Sequence, residues 1–89
     1  NIYLLEGESR EYTISLIGAK GKEAKYKFEL LNTTDLTMKV YFLDRELTLN
    51  DKGEYSFFGT RISFTVKVVV TANKATTGNL KINKVTNAS

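Results

Sequence analysis

The sequence predicts an all-β fold, an antiparallel β-sandwich of about seven to eight strands. Apolar residues recur at every second position in several runs, which is the period of a strand with one buried face. Turn-type segments separate these runs at intervals of roughly eight to twelve residues, a spacing typical of sandwiches and small barrels. No convincing helix interrupts the pattern, so both main observations favour sheets throughout.

The longest alternating run is RISFTVKVVVTA, residues 61–72. Its opposite face is mostly polar, with Ser63, Thr65 and Lys67, as expected for an antiparallel sheet with one side in water. The apolar face is expected to be buried. It consists of Ile62, Phe64, Val66, Val68, Val70 and Ala72.

The same alternation predicts three further strands, around Tyr12 to Leu16, Tyr26 to Leu30 and Leu36 to Phe42. Shorter strands are expected in the segments NIYLL (1–5), LTL (47–49), EYSFF (54–58) and NLKINKV (79–85). Residues typical of turns lie between these runs. The predicted turns are Glu6 to Ser9, Gly18 to Lys22, Asn32 to Asp35, Asp44 to Glu46, Asn50 to Gly53, Gly59 to Thr60 and Ala75 to Gly78.

The length of 89 residues predicts one domain, residues 1–89. A chain of this size buries only roughly 60 to 65% of its unfolded surface, so its core is thin. It contains no cysteine and no histidine, which removes disulfides, the usual zinc ligands and the usual nucleophile–base pairs. We therefore expect a protein that is not an enzyme, with no catalytic residue, no metal site and no cofactor.

The charge balance is only mildly basic, with a net charge of +3 and a pI near 9.2. This balance is too even to require a nucleic-acid partner. No apolar run approaches 18 residues, so no membrane span is expected. The first residue is Asn instead of Met, which suggests processing or trimming and leaves room for a signal sequence that has been removed.

Two segments match the Asn-x-Ser/Thr pattern of glycosylation, at Asn32 and at Asn87. Asn32 lies in a predicted loop and Asn87 in the C-terminal tail, and both places could accommodate a bulky sugar. Covalent glycans would place the chain outside the cell.

The chain contains no proline. Proline is one of the residues that shield the exposed edges of sheets from pairing. The edges of this chain must be protected by lysine, by short strands, or by another strand that pairs there. The N-terminal segment with Ile2, Tyr3, Leu4 and Leu5 is apolar and precedes a flexible Glu6–Ser9 segment. It is either an ordinary first strand or a strand donated to the edge of a neighbouring copy.

Seven apolar residues fall out of phase with the predicted core and are expected to point outward. They either pack at the margin of the core or form a contact surface for another protein. These residues are Leu5, Ile17, Leu31, Tyr41, Leu43, Phe58 and Val69.

The segment AKGKEAKYKF concentrates Lys20, Lys22, Lys25 and Lys27 around a predicted hairpin loop. A solvated basic hairpin accounts for this pattern, because the interleaved aromatic residues fit the buried phase of their strand. The alternatives are nucleic-acid binding by an OB-type barrel and binding to an anionic glycan or lipid surface.

The segments LLEGESREYTISLIG, KYKFELL and LTLNDKGEYSFFGTRISFTVKVVV together resemble the small immunoglobulin-like modules of archaeal surface-layer, cell-envelope and appendage proteins. The resemblance covers nearly the whole chain and consists of turn and core positions. It implies an immunoglobulin-like sandwich without the cysteine pair and tryptophan of antibody domains. It transfers no ligand-binding residue.

The resemblance further implies a structural role at the cell surface, in a layer, pilus or fibril. We expect an extracellular, glycosylated subunit that forms homo-oligomers or polymers, with the residues 2–5, Tyr41, Leu43, Phe58 and Val69 at the contacts. One alternative is a carbohydrate-binding or accessory module of a larger secreted protein, with Tyr41 and Phe58 as an aromatic platform. The OB-type nucleic-acid-binding barrel is the second alternative.

Overall fold

The computed structural model describes residues 2–18, 21–58 and 62–85, and this part of the chain is all-β. It forms eight strands and no helix. Asn87, the second predicted glycosylation site, lies outside the described residues. The strands are β1 (Ile2–Leu4), β2 (Ser9–Ile17), β3 (Glu23–Leu31), β4 (Leu36–Phe42), β5 (Arg45–Leu47), β6 (Glu54–Phe58), β7 (Ser63–Ala72) and β8 (Thr76–Val85).

The strands form two antiparallel sheets of four strands each, consistent with the predicted sandwich. The first sheet has the order β1-β8-β3-β6 and the second the order β2-β7-β4-β5. The longest pairing joins β2 to β7 over nine residues, from Ser9 opposite Thr71 to Ile17 opposite Ser63. The described part of the molecule is elongated, with extents of 42 × 26 × 20 Å.

The core lies between the sheets and confirms the alternation that the sequence shows. Each long strand contributes its even-numbered residues, since neighbouring side chains of a strand point to opposite faces. Complete burial of a Val, Leu or Phe side chain contributes about 1.5 to 3 kcal/mol. The most deeply buried large side chains are Leu4, Phe28, Val40, Val66, Val68 and Val70.

Aromatic rings connect the two sheets at one end of the core. Phe57 of the first sheet lies 5.5 Å from Phe42 and 4.9 Å from Phe64 of the second sheet, measured between ring centroids. The Phe42–Phe57 contact is edge-to-face, an arrangement that adds about 0.5 to 1.5 kcal/mol beyond the burial of area, whereas the Phe57–Phe64 pair is tilted. Tyr26 and Tyr55 extend the same cluster.

Three local predictions are wrong. Ile62 is 73% exposed although its carbonyl still accepts from the N–H of Gly18, because it lies just before the first residue of β7, at the end of the sheet. β5 begins at Arg45, two residues before the predicted strand, because the tight turn consists of Leu43 and Asp44. β8 begins at Thr76 inside a predicted turn, because residues 76–78 pair with β1.

Gly78 lies within β8 at a position where a side chain would not fit. A Cβ atom placed there would lie 2.6 Å from Cγ2 of Thr33 and 3.0 Å from Cδ1 of Leu36. The absence of a side chain therefore lets the turn between β3 and β4 pack directly on β8.

Candidate functional site

The most unusual surface is the side of the sandwich where β1, β2 and the middle of β8 meet. An open cavity of about 260 Å³ lies there, lined by residues of all three strands. β1 covers only the first three residues of the ten-residue β8, so the outer edge of β8 beyond Gly78 has no partner among the described residues. The lining residues are Ile2, Tyr12, Ile14, Asn79 and Leu80.

The hydrogen bonds of Ile17 show which backbone groups of β2 face outward. The Tyr26 hydroxyl donates to the carbonyl oxygen of Ile17 at 2.6 Å and accepts from its N–H at 3.0 Å. Both groups therefore point away from β7. Since backbone groups alternate between the two edges of an antiparallel strand, the groups of Ser9, Glu11, Thr13 and Ser15 also point away from β7.

Both ends of β2 support this assignment. The N–H of Ala72 donates to the carbonyl of Glu8, and the N–H of Gly18 donates to the carbonyl of Ile62. The even-numbered residues thus bond to β7. The outward groups of Ser9, Glu11, Thr13 and Ser15 have no backbone partner within the described part of the chain.

The same argument assigns the outer edge of β8. The N–H of Phe28 donates to the carbonyl of Gly53 on the β6 side, so the odd-numbered residues of β3 bond to β8. Their partners in β8 are odd-numbered too. The backbone groups of Leu80, Ile82 and Lys84 consequently point outward, past the end of β1.

We call this surface the open side: the outer edge of β2, the outer edge of β8 from Leu80 to Lys84, and the cavity between them. Apolar side chains line its floor, and Tyr12, Ile14, Leu80 and Ile82 are only partly buried. An added strand would therefore gain backbone hydrogen bonds and cover apolar surface together.

The two edges of the open side differ in their protection. The β8 edge carries Lys81 and Lys84, and exposed lysine opposes pairing with another chain. The β2 edge carries neither lysine nor proline. β2 is therefore the longest edge of the described structure without lysine or proline, and its charged residues are Arg10 and Glu11.

The N-terminal strand β1 packs against its own molecule. Ile2 and Leu4 are buried, at 4% and 1% exposure, and β1 pairs with β8 of the same molecule. Tyr3 and Leu5 are exposed beside them. Donation of this strand to a neighbour would require the same contacts between two molecules and stays a prediction.

The out-of-phase apolar residues do not form one patch. Tyr41 and Val69 lie half-buried on the outer face of the second sheet. Phe58 is 71% exposed and lies on the outer face of the first sheet, and Leu43 is 83% exposed at the turn between β4 and β5. Tyr41 and Phe58 therefore cannot form a common aromatic platform.

A second depression of about 320 Å³ lies on the outer face of the second sheet. Tyr41 contributes an aromatic ring to it, with the Nζ atom of Lys67 5.5 Å from the ring centroid. Hydroxyl groups of Thr13 and Thr65 and the carboxylate of Asp44 border it. Sequence analysis did not predict this grouping, which depends on the pairing of β4, β7 and β2.

Asn32 is exposed in the turn after β3 and has a left-handed backbone, with φ of 68°. Thr34, which supplies the hydroxyl group of the acceptor pattern, is exposed as well. Thr33 is tied down instead, because its Oγ1 accepts from the N–H of Asp35 and lies 2.7 Å from Oγ1 of Thr76. The site is thus accessible on a fixed turn.

The lysines of the basic hairpin are partly neutralised. The Nζ atom of Lys25 lies 4.0 Å from Oε1 of Glu54, and that of Lys27 lies 3.8 Å from Oε1 of Glu29. Lys20 lies outside the described residues.

No group of three or more acidic residues that could hold a metal ion occurs in residues 2–18, 21–58 and 62–85. Nor does a helix long and apolar enough to cross a membrane occur in these ranges.

Comparison with family models, with curated proteins and with solved structures finds no match to this chain.

Proposed function

We propose that this chain is an extracellular structural subunit that associates with copies of itself, as part of a surface layer, pilus or fibril. One observation carries the proposal: two long strand edges and an open cavity lie together on the open side, with no strand paired to these edges among the described residues. Exposed edges of this length are sites where another chain pairs. The elongated shape and the exposed acceptor pattern at Asn32 support the same role.

The proposal also draws on the resemblance to immunoglobulin-like modules of archaeal surface and appendage proteins. Such modules need contacts between copies, and the open side supplies a surface suited to them. The exposed Leu43 and Phe58 lie away from it and would serve further contacts, which a layer or fibril requires in addition to one pairwise contact.

Sedimentation analysis of the chain over a wide concentration range, combined with electron microscopy, tests the proposal. We expect species heavier than the 10.0 kDa monomer whose share grows with concentration. A single 10.0 kDa particle at every concentration up to about 1 mM would contradict self-association, because a dissociation constant above about 1 mM is too weak for assembly.

Carbohydrate binding, as a module of a larger secreted protein, is a second candidate function. The depression beside Tyr41 favours it, because an aromatic ring bordered by hydroxyl groups and a carboxylate suits a sugar. A glycan array with wild type, Tyr41→Ala and Phe58→Ala tests it. Loss of binding in Tyr41→Ala alone is expected, and silence of the wild type would sink the idea.

Nucleic-acid binding by an OB-type barrel has less support. Lys25 and Lys27 each lie within ion-pair distance of a glutamate, which reduces the positive field. The described strands also form two four-stranded sheets, whereas an OB-fold is a five-stranded barrel.

A further inference from the structure

We propose that two copies of this chain pair through β2, antiparallel and about a two-fold axis, to join their second sheets into one eight-stranded sheet. The inference rests on the proposed self-association and names its surface. It starts from the unprotected outer edge of β2, where the backbone groups of Ser9, Glu11, Thr13 and Ser15 lack partners in the described chain.

The length of the free edge sets the register. The four residues with free groups are centred on Tyr12, and the Tyr26 hydroxyl already occupies the groups of Ile17. A two-fold axis at Tyr12 places Ser9 opposite Ser15 of the partner subunit and Glu11 opposite Thr13 of the partner subunit. All four residues of each copy then exchange hydrogen bonds, as closely spaced pairs of an antiparallel ladder do.

The side chains are compatible with this register. Arg10 lies opposite Ile14 of the partner subunit and Glu11 opposite a threonine, so no like charges face each other. An axis at Arg10 or at Glu11 would place identical charges opposite each other and is disfavoured. Self-complementarity of this kind identifies a second copy as the occupant of the edge.

The pairing also covers apolar surface. Tyr12 and Ile14 line the open cavity and are only partly buried in one copy. On the axis, Tyr12 would lie directly beside Tyr12 of the partner subunit, and aromatic cross-strand pairs stabilise sheets. The contact involves a single strand from each copy, so we expect a dimer that dissociates on dilution.

Proline substitution on the free edge gives the sharpest test. Thr13→Pro removes an N–H that has no bond within the described part of its own chain, because Tyr12 and Ile14 make the bonds to β7. We expect a folded monomer by circular dichroism and sedimentation. Ser56→Pro is the matched control, since Ser56 lies on the outer edge of β6 and its N–H likewise points away from β3. We expect that variant to dimerise as the wild type does.

Amide hydrogen exchange of the wild type tests the same pairing without any mutation. The amides of Glu11, Thr13 and Ser15 should exchange fast at low concentration and slow at high concentration, while those of Tyr12 and Ile14 stay protected throughout. A dimer whose odd-numbered β2 amides still exchange fast would overturn the β2 pairing but leave self-association standing. Absence of any dimer would overturn both proposals.

Cysteine cross-linking tests the register, and the chain has no native cysteine to interfere. A mixture of Glu11→Cys and Thr13→Cys should form mixed disulfide dimers faster than either variant forms dimers with itself. If Thr13→Cys cross-links best with itself, the axis lies at Thr13 and the proposed register is wrong.

Discussion

Gly78 shows how a single position couples two elements of the fold. Its Cα hydrogens face Thr33 and Leu36 across a gap too small for a methyl group, and the carbonyl oxygen of Leu31 lies 3.1 Å from where a Cβ atom would stand. The turn between β3 and β4 is thus positioned by the absence of a side chain. Nothing in the local sequence indicates this, because the contact joins residues more than 40 positions apart.

Gly78→Ala should destabilise the protein by about 1 to 3 kcal/mol, the usual cost of forcing an extra methyl group into a packed site. Urea unfolding of the variant checks this value. Thr77→Ala is the neighbouring control at an exposed position and should stay within about 0.5 kcal/mol of wild type. Equal stability of Gly78→Ala and wild type would contradict the close packing.

Glu54 is the residue whose ionisation should matter for stability. A hydrogen bond from the Asn50 side chain is the main cause that lowers the pKa of Glu54, with smaller contributions from Lys25, Lys52 and Lys27. Because the pKa is lower in the folded state than in the unfolded state, the resulting stability is present above the unfolded pKa. It is lost as the pH falls through the folded pKa.

Glu54→Gln should therefore reduce the loss of stability that the wild type shows on acidification below the ordinary glutamate pKa of about 4.3. Urea unfolding midpoints at a series of pH values measure this. Parallel profiles for Glu54→Gln and wild type would exclude the effect.

The hairpin of β4 and β5 carries strain in its two-residue turn. Leu43 and Asp44 both have left-handed backbones, with φ of 52° and 60°, as a type I′ turn requires. Asn-Gly is the preferred sequence there, whereas leucine with positive φ is unfavourable. A leucine that is also 83% exposed contributes little burial in return.

Replacing Leu43-Asp44 by Asn-Gly should stabilise the protein by about 1 kcal/mol, because the turn then adopts its backbone without strain. Thermal and urea unfolding check this. The single variant Leu43→Ala removes the exposed side chain but keeps a residue for which positive φ is unfavourable. It therefore separates the effect of backbone strain from the effect of the exposed leucine side chain. A destabilised Asn-Gly variant would mean that Leu43 makes a stabilising contact.

The strands themselves were largely predictable from the sequence. Alternation gave the correct inward residues of β3, β4 and β7, because the period-two pattern reflects burial directly. It failed at Ile62, where the alternation continues beyond the last paired residue. It also missed the start of β8, since Thr76–Gly78 become a strand only through pairing with the distant β1.

At the scale of the whole molecule, the open side could not be predicted. It depends on the strand order of both sheets, on the short length of β1 and on the bonds of Tyr26, all of which are long-range features. The missing proline did indicate unprotected edges. Which edge is free, and which backbone groups face outward, required the pairing register.

Glycosylation of material isolated from its native source is a prediction at this scale. Asn32 lies at a turn between strands, whereas the free groups of β2 run along the side of the sandwich, so a sugar on Asn32 should leave the β2 contact unobstructed. Intact mass should fall on enzymatic removal of N-glycans. The dimer fraction should stay the same after that removal. An unmodified mass would contradict the prediction.

The Tyr26 hydroxyl limits how far an incoming strand can pair along β2. The hydroxyl bonds both backbone groups of Ile17, so a strand that pairs with β2 cannot extend to Ile17 without breaking these two hydrogen bonds. Recruitment along this border is therefore limited to a segment of fixed length. Such a limit keeps the joint between two copies small, which favours reversible association.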